Sequence, residues 1–171
     1  MSAEASTRPN REPAHRWLTV YSTRWCPACR RVKHWLEQKG VSATHIDIEV
    51  DAEAAQRVEA WTGGYRSVPT VILRQVLIQP PLASLRSVLG SADDILVCRA
   101  YVAGEREPSR SLLAWLGEIG VPLEIRDVDV DPAAARIAKE WAAGALLAPV
   151  VDLTVRLTEP RTEVLASALG L

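Results

Sequence analysis

The sequence repeats itself at a fixed offset, and this repeat limits the folds that the chain can adopt. Each residue from Trp17 to Ser91 can be aligned, without a gap, with the residue whose number is higher by 80. More than one aligned pair in four is identical, whereas chance pairing gives identity at about 6–8% of positions. The sequence therefore predicts a tandem duplication of one unit. The matched pairs include Trp35 with Trp115, Gly40 with Gly120, Asp51 with Asp131, Trp61 with Trp141 and Pro69 with Pro149.

The unit has the residue pattern of strands that alternate with helices. Residues 18–21 form a short β-prone run, and the apolar residues of 27–39 recur at helical spacing. A second strand is predicted over 44–48. A second helix then begins after Asp51, whose side chain suits the N-cap position, and runs to Trp61.

The end of the unit predicts a hairpin and a closing helix. After the Gly63-Gly64 break, two apolar runs over 70–73 and 76–78 follow each other closely, and a helix is predicted over 81–89. The order is then β-α-β-α-β-β-α, in which the first two strands are parallel because a helix connects them. Each unit is thus predicted to be an α/β domain with a four-stranded mixed sheet.

The repeat and the composition predict the organisation of the chain. We expect a disordered arm over 1–15, a first domain over 16–91 and a second over 95–171. The arm is polar and lacks the apolar core of a signal peptide, and no apolar run approaches the roughly 18 residues of a membrane span. The net charge of −1 gives no basic excess. We therefore expect a cytoplasmic protein with neither nucleic acid nor a membrane as partner.

A close cysteine pair lies at the predicted start of the first helix. Cys26 and Cys29 are three positions apart, with Pro27 between them, so both side chains can lie on one helical turn, close enough for a disulfide. Free backbone N–H groups and the positive end of the helix dipole would favour a thiolate at Cys26. The thiolate is the species that attacks a disulfide. Four cationic residues flank the pair and would add to this effect: Arg24, Arg30, Arg31 and Lys33.

The same pair could also be half of a zinc site or an incidental feature. Zinc normally takes four ligands from cysteine and histidine, and this sequence has no second C-x-x-C. His34 lies on the same predicted helix and points elsewhere, while Cys98 falls on the first predicted strand of the second unit as a buried apolar residue. We therefore favour redox chemistry and expect no metal.

Two stretches of the first unit resemble glutaredoxin-like proteins. Residues 21–31, Tyr-Ser-Thr-Arg-Trp-Cys-Pro-Ala-Cys-Arg-Arg, resemble their active-site strand and helix. Residues 63–71, Gly-Gly-Tyr-Arg-Ser-Val-Pro-Thr-Val, resemble the stretch that leads into their cis-proline loop. The nearest likeness is to mycoredoxins and to the glutaredoxin-like electron donors of ribonucleotide reductase, and it covers nearly all of residues 17–90.

The resemblance implies a thioredoxin fold and a set of site residues. Cys26 would be the catalytic nucleophile and Cys29 the resolving thiol. Pro69 would follow a cis peptide bond that exposes the backbone of Val68 to a substrate. The substrate-binding residues expected on this basis are Trp25, Pro27, Arg66, Val68 and Pro69.

The resemblance also indicates reaction partners. It implies disulfide-containing protein substrates and a redox-active disulfide, Cys26–Cys29, with no bound cofactor. Glutathione-dependent relatives carry a Gly-Gly-x-Asp stretch after the last strand, whereas this chain has Leu-Ile-Gln-Pro-Pro over 77–81. The glycine pair precedes the proline instead, as in mycoredoxins. Mycothiol or a thioredoxin-reductase-type donor is therefore at least as suitable a reductant as glutathione.

The second unit has lost the cysteine pair. The repeat offset places Arg106 opposite Cys26 and Ser109 opposite Cys29, so this unit has no thiol to exchange. Pro149 keeps the position of the cis-proline. We predict a degenerate redoxin-like domain that serves either as a structural partner or as a docking module for other proteins.

Three hypotheses of function follow from the sequence. The favoured one is a thiol-disulfide oxidoreductase that reduces protein disulfides, or mixed disulfides with a low-molecular-weight thiol. A second is a metal-binding protein in which a partner supplies the remaining ligands. A third is a non-catalytic adaptor that uses the degenerate groove to bind proteins.

Overall fold

The computed structural model describes residues 15–171 as a mixed α/β structure. The strands are β1 (His15–Ser22), β2 (Thr44–Asp47), β3 (Thr70–Ile78), β4 (Asp94–Val102), β5 (Glu124–Asp127) and β6 (Val150–Thr158). The helices are α1 (Pro27–Gln38), α2 (Ala52–Trp61), α3 (Leu82–Ser91), α4 (Ser109–Ile119), α5 (Pro132–Trp141) and α6 (Thr162–Leu169). Over this part of the chain, every helix is too short or too polar to cross a bilayer.

All of the described strands form one sheet in the order β2-β1-β3-β6-β4-β5. The outer pairs β1–β2 and β4–β5 are parallel, and the other pairs are antiparallel. The two halves meet at β3 and β6, where Thr70 lies opposite Thr158 and Ile78 lies opposite Val150. At the centre of this pair Arg74 faces Thr154, which is its own equivalent in the repeat. The sheet therefore has a pseudo-two-fold axis between β3 and β6.

The predicted hairpin over 70–78 is wrong, because this segment is the single strand β3. Each half thus contributes three strands in the order β-α-β-α-β-α, instead of four. The two residues between the apolar runs, Arg74 and Gln75, supply no glycine or proline for a tight turn, and both pair with β1 and β6. The strand next to β3 comes from the second half of the chain.

The other predicted elements lie close to the observed ones. Asp51 and Asp131 both cap their helices, since each side chain accepts backbone N–H bonds from the first turn. The bounds of β2, α2 and β3 recur at the repeat offset in β5, α5 and β6. The domain boundary predicted at 91–95 falls between α3 and β4, and the predicted arm lies outside the described residues except for His15, which begins β1. Division into two domains stays a prediction.

One apolar core runs through both halves on the same face of the sheet. It contains Leu73 of β3 and Leu153 of β6 together with the buried faces of α1, α3, α4 and α6. Alternate residues of a strand point to opposite faces. Ile72 and Val76 accordingly contact the smaller clusters beneath α2 and α5. Because the large core crosses the axis, the two halves share it.

A charged cluster lies beside the axis on the α2 and α5 face. The guanidinium of Arg74 donates two hydrogen bonds of 3.0 Å to the carboxylate of Asp152, which is buried. Its Cζ also lies 5.0 Å from the ring centroid of Trp17 and 5.8 Å from that of Trp141. The hydrogen bond with Asp152 raises the pKa of Arg74. The pair joins β3 to β6 in the middle of the sheet.

Asp152→Ala should lower the free energy of unfolding by about 2–3 kcal/mol, because Arg74 loses both hydrogen bonds in a partly desolvated place. The matched control is Asp129→Ala. Its carboxylate accepts two hydrogen bonds of 2.7 and 2.8 Å from Arg106 in an exposed pair, and its loss should be under about 1 kcal/mol. Urea denaturation followed by tryptophan fluorescence measures both values. Equal losses would contradict a structural role for the Arg74–Asp152 pair.

Candidate functional site

The site begins where β1 passes into α1. Cys26 is the N-cap residue of α1 and has extended backbone dihedrals, and Pro27 occupies the first helical turn. The backbone N–H of Cys29 donates to the Sγ of Cys26 at 3.1 Å. Pro27 suits this place because a first-turn residue has no helical acceptor for its N–H. The helix therefore directs one of its free N–H groups at a sulfur atom.

The two cysteines are joined by a disulfide, as their spacing predicts. Their Cα atoms are 5.3 Å apart. Both side chains are buried against Tyr21, Ile48 and the inner face of α2. The pair thus belongs to the apolar cluster beneath α2, on the face of the sheet opposite the large shared core. Both side chains are shielded from bulk water.

The loop before β3 approaches the pair from the other side. The Val68–Pro69 peptide bond is cis, as the resemblance implies. The Sγ of Cys26 lies 3.7 Å from the carbonyl oxygen of Val68. The hydroxyl of Thr70 donates to the carbonyl of Ser67 at 2.7 Å and closes the loop. The helix start and the loop therefore meet at the Sγ of Cys26.

The remaining predicted residues lie around this centre at different distances. Trp25 is 65% exposed, and its indole N–H donates to Glu49 at 2.9 Å, which holds the ring at the rim. Pro27 is exposed beside Cys26. Arg66 forms an ion pair of 2.6 Å with Glu59 instead of turning toward the pair. Cys26, Cys29, Val68 and Pro69 are thus brought together, with Trp25 beside them.

Two of the cationic residues predicted to flank the cysteine pair, Arg24 and Arg30, bind other groups. Arg24 is largely exposed and forms an ion pair of 3.2 Å with Asp47. Arg30 donates to the backbone carbonyl of Arg24 at 3.2 Å. Asp47 also accepts the N–H of Glu49 at 2.9 Å, which is the local turn role expected of an aspartate at a strand end. These contacts stabilise the loop before Cys26.

Sequence reasoning missed a contribution of the second half to this site. Glu159, which follows β6, donates its backbone N–H to the carbonyl of Pro69 at 2.7 Å. The equivalent residue Gln79 donates in the same way to Pro149 at 2.7 Å. Only the pairing of β3 with β6 brings these residues together. A signal was present in the repeat, since a proline follows both Gln79 and Glu159.

The second half contains no comparable thiol site. Helix α4 begins at Ser109, two positions later than the repeat offset predicts, so Arg106 lies before the helix and forms its ion pair with Asp129. Ser109 is buried, and its hydroxyl accepts the N–H of Ala103 at 3.0 Å. Ser109, which is equivalent to Cys29, is therefore a buried hydrogen-bond acceptor in the second half. Within residues 15–171, no three histidine, cysteine or acidic side chains are grouped as metal ligands would be.

Comparison with known proteins finds similarity in the first half of the chain. Residues 18–78 match the sequence profile of the glutaredoxin family. A candidate glutaredoxin of Mycobacterium tuberculosis is 43% identical over 54 residues, which are 32% of this chain and 64% of that protein. Mycoredoxin 1 of Corynebacterium glutamicum is 41% identical over 54 residues, which are 32% of this chain and 66% of that protein. The chain thus spans somewhat less than two thirds of the relatives that it matches.

The matched region contains both the cysteine pair and the cis-proline loop, so the likeness and the geometry concern the same residues. Residues 18–78 match the glutaredoxin family, and this part of the chain is similar to a candidate glutaredoxin and to mycoredoxin 1.

Proposed function

We propose that the chain is a thiol-disulfide oxidoreductase that reduces disulfides through Cys26 and Cys29. The observation that carries this proposal is the disulfide at the start of α1, 3.7 Å from the Val68 carbonyl. The start of the helix and the cis-proline loop thus lie on either side of the Sγ of Cys26, where a substrate sulfur would bind. The family match of residues 18–78 supports the same chemistry.

The proposed reaction proceeds through a mixed disulfide. The thiolate of Cys26 attacks one sulfur of the substrate disulfide, the substrate S–S bond breaks, and the departing thiolate takes a proton from solvent. Cys29 then loses its proton to solvent and attacks the Sγ of Cys26. The mixed disulfide breaks, its substrate sulfur leaves as a thiolate that takes a proton from solvent, and Cys26–Cys29 forms. Two electrons and two protons have passed to the substrate.

The start of α1 stabilises the attacking species. The N–H of Cys29 lies 3.1 Å from the Sγ of Cys26, and in the reduced protein this bond would be charge-assisted. The positive end of the helix dipole acts in the same direction. Trp25, Pro27, Arg66, Val68 and Pro69 are the proposed substrate-binding residues, with the Val68 backbone as the group that pairs with the substrate.

The proposed reductant is a low-molecular-weight thiol or a reductase. Two equivalents of mycothiol or glutathione, or one turnover of a thioredoxin-reductase-type donor, would restore both thiols. The likeness to mycoredoxin 1 supports mycothiol as the first candidate. The proposed substrates are disulfide-containing proteins of the cytoplasm, and no bound cofactor is required by these steps.

Cys26→Ser should lower turnover of a disulfide substrate by at least about a thousandfold, because the nucleophile is lost. Cys29→Ser should instead accumulate a mixed disulfide on Cys26, since the resolving thiol is missing. Mass spectrometry of acid-quenched reactions measures the adduct, and consumption of mycothiol or glutathione in coupled assays measures turnover. Unchanged biological function with both cysteines replaced would support the adaptor hypothesis. Stoichiometric zinc that is lost on either replacement would support the metal hypothesis.

Cys98 serves as the matched control for these variants. Its burial, with a smaller effect of the Asp152 charge, raises the pKa of its thiol to about 11. Below that pH the thiol stays protonated and unreactive. Brief alkylation of the reduced native protein near neutral pH should therefore modify Cys26 and spare Cys98 until the chain is unfolded in urea. Cys98→Ala should retain turnover, and rapid labelling of Cys98 in the native protein would contradict this assignment.

A further inference from the structure

The two cis-proline loops differ in one side chain that the opposite half contributes. Gln79 of the first half donates its side-chain Nε2–H to the carbonyl of Ala148 at 3.0 Å. Ala148 precedes the cis-proline Pro149 and is the equivalent of Val68. An amide from the first half therefore occupies the backbone acceptor of the second half at this position.

At the cis-proline loop of the first half, the residue equivalent to Gln79 is Glu159, which the second half contributes. Both residues have left-handed backbone dihedrals, with φ of 48° at Glu159 and 45° at Gln79. Their side chains thus leave the backbone in equivalent directions relative to the two loops. A carboxylate has no N–H to donate. The side chain of Glu159 therefore cannot donate a hydrogen bond to the carbonyl of Val68, and a substrate N–H can bind there. In the second half, Gln79 already donates to the equivalent carbonyl of Ala148.

The carboxylate of Glu159 is also available to a ligand. The residue is exposed, and among residues 15–171 it forms neither a salt bridge nor a side-chain hydrogen bond. A surface cavity of about 410 Å³ is lined by Glu159 together with Asp93, Thr158, Arg161 and Glu163. The cavity provides room for a long side chain next to the carboxylate.

We propose that Glu159 is a specificity-determining residue of the Cys26 groove, contributed by the second half of the chain. It favours disulfide substrates that carry lysine or arginine next to the cysteine under attack. The backbone of such a substrate would pair with Val68, and its cationic side chain would then lie near Glu159, which is bonded to Pro69. This inference rests on the proposed oxidoreductase function.

Single-turnover reduction by the full-length dithiol protein tests the proposal without an assumed reductant. The experiment compares two peptide disulfides, each a dimer of one cysteine peptide. In one peptide lysine stands on both sides of the cysteine, and in the other glutamate stands there; the rest of the sequence is identical. Each rate is divided by the rate with dithiothreitol, because a neighbouring lysine makes the disulfide itself more reactive. At low salt the wild-type protein should reduce the lysine peptide about three- to tenfold faster, and addition of about 0.5 M NaCl should lower this ratio.

Two variants of Glu159 separate its charge from its shape. Glu159→Ala should bring the ratio close to 1. Glu159→Gln should do the same and also slow both peptides, because the amide can donate to Val68 as Gln79 does to Ala148. The charge-matched control is Glu118→Ala on α4, an exposed residue that should leave the ratio unchanged. Far-UV circular dichroism checks the fold of each variant. If Glu159→Ala is unfolded, the result with Glu159→Gln is the one that tests the proposal.

The failure of this inference is distinguishable from the failure of the proposed function. Equal normalised rates of the two peptides with the wild type, or an unchanged ratio in the folded Glu159 variants, would overturn the role of Glu159 alone. No reduction of either peptide, under conditions in which dithiothreitol reduces both, would overturn the oxidoreductase function and this inference with it.

Discussion

The antiparallel pairing of β3 with β6 is the interaction on which the rest of the structure depends. An unpaired β3 would present a long and mostly apolar strand edge to solvent, which is a site for aggregation. The pairing removes this edge from both halves at once and places Leu73 and Leu153 in the shared core. It also brings the residue after each strand to the cis-proline loop of the other half. The continuous sheet and the contact at each cis-proline loop therefore both depend on this pairing.

The cysteine site could be predicted from sequence because it is built from local contacts. Cys26 and Cys29 lie on one turn, and Pro27 and Asp51 mark helix starts by chemistry that acts over a few residues. The prediction of a hairpin in place of the single strand β3 is wrong for the opposite reason. Its interruption by Arg74 and Gln75 resembles a turn until β1 and β6 are present to pair with both residues. A pairing partner in the other half of the chain leaves no local signal.

The two halves differ at positions where the side chain has a chemical role, and they agree at positions that pack in the core. Helix and strand bounds of β2, α2 and β3 recur in the second half without a shift, because the core requires them. The start of α4 is displaced, and Ser109 is a buried acceptor where the first half has a thiol. The same contrast holds at Gln79 and Glu159. Backbone positions are retained, while the side chains that reach a groove have diverged.

This division of roles would allow a half without a reactive cysteine pair to contribute to the proposed substrate site. The nucleophile is fixed by α1 and its own N–H groups, so its chemistry belongs to the first half alone. The cis-proline loop is different, because Glu159 at the β6–α6 junction donates its backbone N–H to the carbonyl of Pro69 across the pseudo-two-fold axis. A substitution at Glu159 changes what a substrate meets without moving either sulfur. Substrate recognition in the first half can therefore change through residues of the second half, while the thiol chemistry stays constant.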